Sequence, residues 1–372
     1  MTRYVGAISG TSVDGLDLAL VQVTGDSITI PAGTVKAFPE ALAGDLRALA
    51  APGPNEVFRV GVADASLGEF VGQAVLAFLA ELDIAPEAVR AIGSHGQTIR
   101  HHPEAEPPFT VQIGDASRIA EITGIDTVAD FRRRDMAAGG EGAPLTPLFH
   151  GTLFRHEERD RVALNLGGIA NVTVLPAASE DILGFDTGPA NALMDTWVQH
   201  AFREPFDQGG ARAASGACIP ALLEALLADP YLHREPPKST GKENYNLAYV
   251  ERMCRTAGVE ADCATVDVLT TLAEFTAASI ARALGNWGPA SGDLITSGGG
   301  RLNHHLMSRI AHHAETFHVT KSDDHGIHGD HLEAAAFAWL AHRTLAGLPG
   351  NAPEVTGASA PRVLGAIHPG NG

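Results

Sequence analysis

Cysteine is nearly absent from this chain: Cys218, Cys254 and Cys263 are its three examples in 372 residues, with neither CxxC spacing nor an even count. That excludes a disulfide framework and a thiolate zinc site, and leaves buried, reduced thiols as the expectation. Lysine is also scarce, found only at Lys36, Lys238, Lys242 and Lys321. With a formal net charge of −18, a nucleic-acid surface or an anionic membrane is excluded as the main partner, so any phosphate must be held locally. No apolar stretch comes near the roughly 18 residues of a membrane span, and the start lacks a basic n-region followed by an apolar h-region. The expected compartment is the cytoplasm. No GxxxxGK(S/T) run occurs, and no strand-borne GxGxxG is followed by an acidic residue, so neither a P-loop NTPase nor a Rossmann dehydrogenase is supported.

What is present begins at residue 8. Residues 4–8 and 18–23 have strand character, and between them stand Ser9, Gly10, Thr11, Ser12, Val13, Asp14, Gly15, Leu16 and Asp17. This predicts a β-hairpin with a polar, Gly-punctuated loop. Gly10 and Gly15 let the backbone approach a ligand, and successive N–H groups with the Thr11 and Ser12 hydroxyls can surround phosphate oxygens. Asp14 and Asp17 would repel a bare phosphate and make sense if Mg²⁺ sits between. The alternative is an ordinary Gly/Asp/Ser turn. The second half restarts the same plan: residues 161–166 read as a strand, Gly167, Gly168, Ile169, Ala170 and Asn171 as a turn, and 172–175 as the returning strand. Two domains are expected from the length, and each would open with such a hairpin.

Other elements carry further candidates. Residues 89–94 read as a short buried strand that ends in a polar loop of Ser94, His95, Gly96, Gln97 and Thr98. Strands are predicted at 109–113 and 125–129, the latter leading into Asp130, Phe131 and Arg132 and then the Gly-rich stretch 139–144. A long helix starting at Thr265 puts Val268, Leu269, Leu272 and Phe275 on one face. The strand 294–296 breaks into Ser297, Gly298, Gly299 and Gly300 before a helix near Asn303, a turn that suits a nucleotide and equally any tight strand-to-helix connection. In phosphoryl transfer the protein positions groups and aligns one carboxylate on the nucleophile; the candidate is Asp186, in a Gly/Pro-fixed turn over 184–191, against a helix N-cap. Lys238 and Lys242 fall together within 236–244, as an anion-binding or a solvated loop. His325, His328 and His331 are spaced as loop residues rather than as a metal site. Glu333 opens an apolar helix, either as a dipole-favoured cap or facing a cleft.

Taken in order and spacing, these motifs resemble the anhydro-N-acetylmuramic acid kinase family over nearly the whole chain. The resemblance implies a two-lobed, actin-like (ribonuclease H-like) α/β fold, each lobe a mixed β-sheet flanked by helices, with a cleft between the lobes. It divides the chain into a discontinuous first lobe, 1–129 with about 341–372, and a second lobe, 130–340. It also implies ATP and Mg²⁺ as cofactors, a small anhydrosugar substrate, and by family analogy a homodimer. The implied reaction opens the 1,6-anhydro ring of the muramic sugar with water and phosphorylates O6, with levoglucosan kinase as the related alternative and a slow ATPase of the same fold as an alternative of another class. Carried over, Asp186 is the base for the attacking water. The loop Gly10, Thr11, Ser12, Val13, Asp14, Gly15, Leu16 and Asp17, with Asn165, Gly167 and Gly168, holds phosphates, and Gly298, Gly299 and Gly300 lie against adenosine. His95, Gln97, Asp130 and Arg132 line the sugar pocket, Arg132 as a bidentate carboxylate partner. Asp14 and Glu333 reach Mg²⁺. Two positions depart from the family pattern: Glu141 stands where Gln is usual and Ala190 where Gly is usual. The added methyl of Ala190 would oppose a positive-φ turn.

Overall fold

The computed structural model describes residues 1–10, 13, 15–260 and 264–371. They form two compact units, 1–149 with 331–372, and 150–330. Unit 1 is built on β1 (Thr2–Ser9), β2 (Gly15–Thr24), β3 (Ser27–Ala37), β4 (Val89–His102), β5 (Phe109–Ile113) and β6 (Thr127–Ala129). The sheet runs β6-β4-β1-β2-β3, with a last strand, Ala366–His368, outside β6 and with β5 paired to β4. β1 is antiparallel to β2 and parallel to β4. Unit 2 carries β7 (Arg161–Leu166), β8 (Ile169–Leu175), β9 (Leu183–Pro189), β10 (Gly292–Ser297) and β11 (Phe317–Lys321) in the order β11-β10-β7-β8-β9. Here β7 is antiparallel to β8 and parallel to β10. The two sheets therefore share one plan: a meander of three strands, then a parallel strand added beside the first.

Both sheets are mixed and flanked by helices. In unit 1, Val5 and Ala7 of β1 join Leu67, Val71, Val75 and Phe78 of the helix Glu56–Glu81 in one apolar cluster. That helix is long and apolar enough to cross a membrane, contrary to the sequence expectation, but half of its apolar window is buried in the unit. In unit 2 the helix Thr265–Trp287 presents Val268, Leu269, Leu272 and Phe275 to the core, as the periodicity predicts.

Four readings change. The polar run 94–98 is not a loop but part of β4, paired with β1 on one side and β5 on the other. Gly15, Leu16 and Asp17 lie in β2, with Leu16 opposite Ser9. Asp186 lies in β9, opposite Asn171, and a bulge follows it at Thr187 because Ala170 pairs with Gly188. The division between units also moves, since 130–149 and 331–340 belong to unit 1. The cause is a buried carboxylate. Asp135 is fully buried and accepts from Gly142 N (2.8 Å), Asn351 Nδ2 (2.7 Å) and Thr356 Oγ1 (2.7 Å). These bonds tie the stretch after β6 to the C-terminal segment.

Two glycines seat the helix Leu332–Leu345 on unit 1. Gly6 of β1 and Gly93 of β4 are register partners. A Cβ on Gly6 would lie 1.7 Å from the carbonyl oxygen of Ala334, and one on Gly93 would lie 2.0 Å from that of Phe337. The helix backbone thus rests directly on the sheet, which its small residues Ala334, Ala338 and Ala341 permit. Gly93→Ala must displace the helix and is expected to destabilise the protein by about 1–3 kcal/mol or more. Gly44→Ala, in the helix Glu40–Leu49 with open space around it, should instead be neutral or stabilising by up to about 1 kcal/mol. Chemical unfolding of the two variants checks the pair; equal stability would refute the seat.

Candidate functional site

In unit 1 the bulge at Gly96, where φ is +73° and the register with β1 shifts between Ala7 and Ile8, aims the side chains around it. His95 and Gln97 are buried, at 6% and 3% exposure. Gln97 Oε1 accepts a short bond from the Ser9 hydroxyl. His95 Nδ1 faces the carbonyl of Gly96 at 3.0 Å, and Nε2 accepts from Arg132 Nε at 2.9 Å. These partners fix the neutral Nδ1–H tautomer. Burial, and then the Arg132 charge, hold its pKa well below the usual imidazole range.

Arg132 Nη1 donates to Gly142 O at 2.8 Å. Burial lowers the guanidinium to about 10, with Glu333 and Asp135 acting in the opposite sense, so it stays charged at neutral pH. Two of its five donors are committed, which leaves three for an anionic ligand approaching end-on. Asp130 follows β6 in the left-handed region at φ +61° and pairs with Arg133 at 3.4 Å. Burial raises its carboxyl. Glu333 is exposed on the first turn of the Leu332–Leu345 helix.

The N-terminal hairpin is described only in part: Thr11, Ser12 and Asp14 lie outside the described residues. Val13 N donates to Gly10 O at 3.1 Å, and Val13 holds φ +55°, a conformation that strains a β-branched residue. Its side chain and that of Leu16 are buried in the core, so only backbone groups of Val13 can meet a ligand there.

Unit 2 brings the remaining candidates together. The carbonyls of Gly167 and Gly168 accept from the amides of Asn191 (3.0 Å), Ala190 (2.9 Å) and Ala192 (3.1 Å), so the hairpin turn caps the helix Asn191–Phe202. Ala190 has φ −110° with ψ −104°; its φ is negative, so the positive-φ turn that its methyl would oppose is not formed here. Glu141, the other departure, is exposed and donates its amide to Thr356 O at 2.8 Å. The Lys242 side chain lies against Gly168, where an added Cβ would meet its Cε at 2.1 Å. After β10, Gly298 turns at φ +75° and its carbonyl accepts from Arg301 Nη1 at 3.0 Å. Arg301 is itself buried between Asp323 and Asp330. Beside this turn opens a cavity of about 540 Å³ lined by Asn191, Met194, Asp195, Phe206, Gly299, Gly300 and Leu302, among others. Its size and mixed lining suit a nucleoside. Burial raises the Asp195 carboxyl to about 6, with Lys242 opposing. Sequence reasoning missed Met194, Asp195 and Phe206, which carry no local signal.

Asp186 is the most perturbed carboxyl of this unit. Burial pushes it up to about 7, against the opposing effects of the Thr240 amide and the Lys238 charge. Thr240 N donates to its Oδ2 at 2.9 Å, its own amide donates to Lys238 O at 3.2 Å, and Tyr231 Oη donates to its carbonyl at 2.9 Å. A desolvated carboxylate held in one orientation, with a pKa near neutrality, can take a proton from water. Among the described residues no group of three or more His, Cys, Asp or Glu side chains is placed to hold a metal ion.

The profile of the anhydro-N-acetylmuramic acid kinase family matches residues 2–370. The anhydro-N-acetylmuramic acid kinase of Coxiella burnetii is 47% identical over 367 residues, covering 98% of this chain and 97% of that protein. That of Xanthomonas campestris pv. campestris is 49% identical over 370 residues, with the same coverage. Among solved structures, the activator of 2-hydroxyisocaproyl-CoA dehydratase from Clostridium difficile aligns with a TM-score of 0.44 at 11% identity, over 92% of this chain and 97% of that one. A ROK family glucokinase from Streptomyces griseus aligns with a TM-score of 0.38 at 14% identity, over 91% and 99%. Matched by the family profile from residue 2 to residue 370, and nearly half identical to these relatives, the chain belongs to the anhydro-N-acetylmuramic acid kinase family.

Proposed function

We propose that this chain uses ATP and water to convert 1,6-anhydro-N-acetylmuramic acid to N-acetylmuramic acid 6-phosphate, with Asp186 as the base. The observation that carries the assignment is the half-buried Asp186 carboxylate, with its pKa raised to about 7 and its orientation set by the Thr240 amide. ATP supplies the transferred phosphoryl group, and Mg²⁺ neutralises its charge. Asp186 accepts a proton from the water as its oxygen bonds to the anomeric carbon. The bond from that carbon to O6 breaks, and O6 becomes the oxygen that receives the phosphoryl group. Gly299 and Gly300 border the cavity and, with Gly298 just before them, are assigned to the nucleoside; the turn at Gly167 and Gly168, with Asn165, is assigned to phosphate, as are Gly10, Val13, Gly15 and Asp17. The Lys242 ammonium beside Gly168 supplies positive charge where no P-loop lysine exists. Asp14 and Glu333 are the carboxylates assigned to Mg²⁺, an ion that takes one or two protein carboxylates and completes its shell with phosphate and water. His95, Gln97, Asp130 and Arg132 are assigned to the sugar, with the remaining Arg132 donors suited to a carboxylate substituent. That last contact favours the muramic sugar over levoglucosan, which has no carboxylate.

Three outcomes follow. Asp186→Asn should lower kcat by about 10²–10⁴ while calorimetric ATP affinity stays within about twofold; full sugar-dependent ADP release would refute the assignment. Because the Asp186 carboxyl is raised to about 7, its base form is lost on acidification. The kcat/KM for the anhydrosugar should therefore fall tenfold per pH unit below about 7 and level off above it; a flat profile down to pH 5 would contradict this. Arg132→Met should raise KM for anhydro-N-acetylmuramic acid at least tenfold and leave whatever turnover the wild type has on levoglucosan nearly unchanged, compared in one coupled assay. Equal losses on both sugars would remove the carboxylate contact from the account.

A further inference from the structure

Lys238 is one of four lysines in the chain, and it is 5% exposed. Its ammonium lies 4.4 Å from the ring centre of Trp287, 5.0 Å from Tyr231 and 5.8 Å from Phe185. Its ammonium donates to the carbonyls of Tyr231 and Leu232 at 3.4 and 3.5 Å, too long to satisfy a buried charge strongly. The Lys238 carbonyl accepts the amide of Asp186, two residues before the amide of Thr240 that holds the Asp186 carboxylate. One short segment therefore fixes the backbone of Asp186, its carboxylate and a buried cation together.

The charged and titratable groups around the pair come from several elements. Arg234 acts on Lys238; Tyr231, Tyr245 and, through them, Asp229 surround Asp186. Burial raises both phenols far above neutrality, so they stay neutral. The charges that vary near pH 7 are Asp186 and Lys238 themselves. Aromatic faces stabilise a cation without neutralising it. Among the described residues no carboxylate pairs directly with the ammonium, so its positive charge is not cancelled at the cage.

We infer that Lys238 is a positioning residue for the reaction: its caged positive charge holds Asp186 in the ionised form that accepts the proton. The inference rests on the reading of Asp186 as the base. The alternative is that Lys238 merely fills the aromatic cage, in which case an apolar side chain of similar length would serve as well.

The pH profile separates the two. Lys238→Met keeps an unbranched side chain, one atom shorter, without the charge, and should move the acid limb of kcat/KM upward by about one pH unit. One unit below the wild-type midpoint the rate then falls about tenfold, while the alkaline rate and the KM for ATP stay near wild type. Lys238→Arg should restore the limb. A folded Lys238→Met protein with an unmoved limb overturns the inference. Since that variant can fail to fold, the wild-type chain labelled with ¹³C at lysine Cε gives a second reading by NMR. One of four signals should titrate well below the ordinary lysine range, and its midpoint should drop further in Asp186→Asn, which removes the opposing carboxylate. Four ordinary titrations, or no response to Asp186→Asn, overturn it as well. An Asp186→Asn protein with full turnover would sink the base assignment, whereas an inactive one with an unmoved Lys238 signal would sink only the role of the lysine.

Discussion

The site depends on the join between β9 and the segment 238–240. Asp186 donates its amide to Lys238 O, receives the Thr240 amide on its carboxylate and the Tyr231 hydroxyl on its carbonyl. These three bonds act on backbone and side chain at once, so the carboxylate has little freedom to turn. Orientation matters more than proximity for a base that must meet one water in one direction. The same join leaves the residue only partly open to solvent, and desolvation is the largest influence on its proton affinity. Position and basicity thus come from one structural element.

Each sheet supplies a hairpin and a parallel strand. In unit 2 the turn caps a helix through three amides, which ties the Gly167 and Gly168 backbone to the helix that lines the cavity through Asn191, Met194 and Asp195. In unit 1 the two facing glycines bring the Leu332–Leu345 helix onto β1 and β4. Glu333 and Phe337 are carried on it, and Phe337 packs against His95 with ring centres 4.6 Å apart. A helix displaced by one methyl would move the histidine that orients Arg132.

The sequence made the hairpins, the Gly turns and the long helix Thr265–Trp287 legible, because turn chemistry and helical periodicity are local. It also isolated Asp186 and most of the residues assigned to ligands. What it hid was set by distant contacts. Ser94, His95, Gln97 and Thr98 look like a loop by composition, but pairing to β1 and β5 makes them strand and buries them. The unit boundary depends on Asp135 meeting Asn351 and Thr356, more than 200 residues away along the chain. Asp195 and the cage around Lys238 leave no pattern in sequence, since Phe185, Tyr231 and Trp287 come from separate elements. Ala190 shows the reverse case: a departure from the family pattern at a position whose φ, −110°, is negative, so the positive-φ turn expected there is absent.

The central claim is that one base-activated water opens the sugar ring while O6 receives the phosphoryl group. Turnover in ¹⁸O-enriched water, with immediate borohydride reduction to block exchange at the anomeric centre, tests it most directly. The account predicts one ¹⁸O at C1 of the reduced sugar phosphate and none in the phosphate group. Label in the phosphate, or an unlabelled C1, would contradict it.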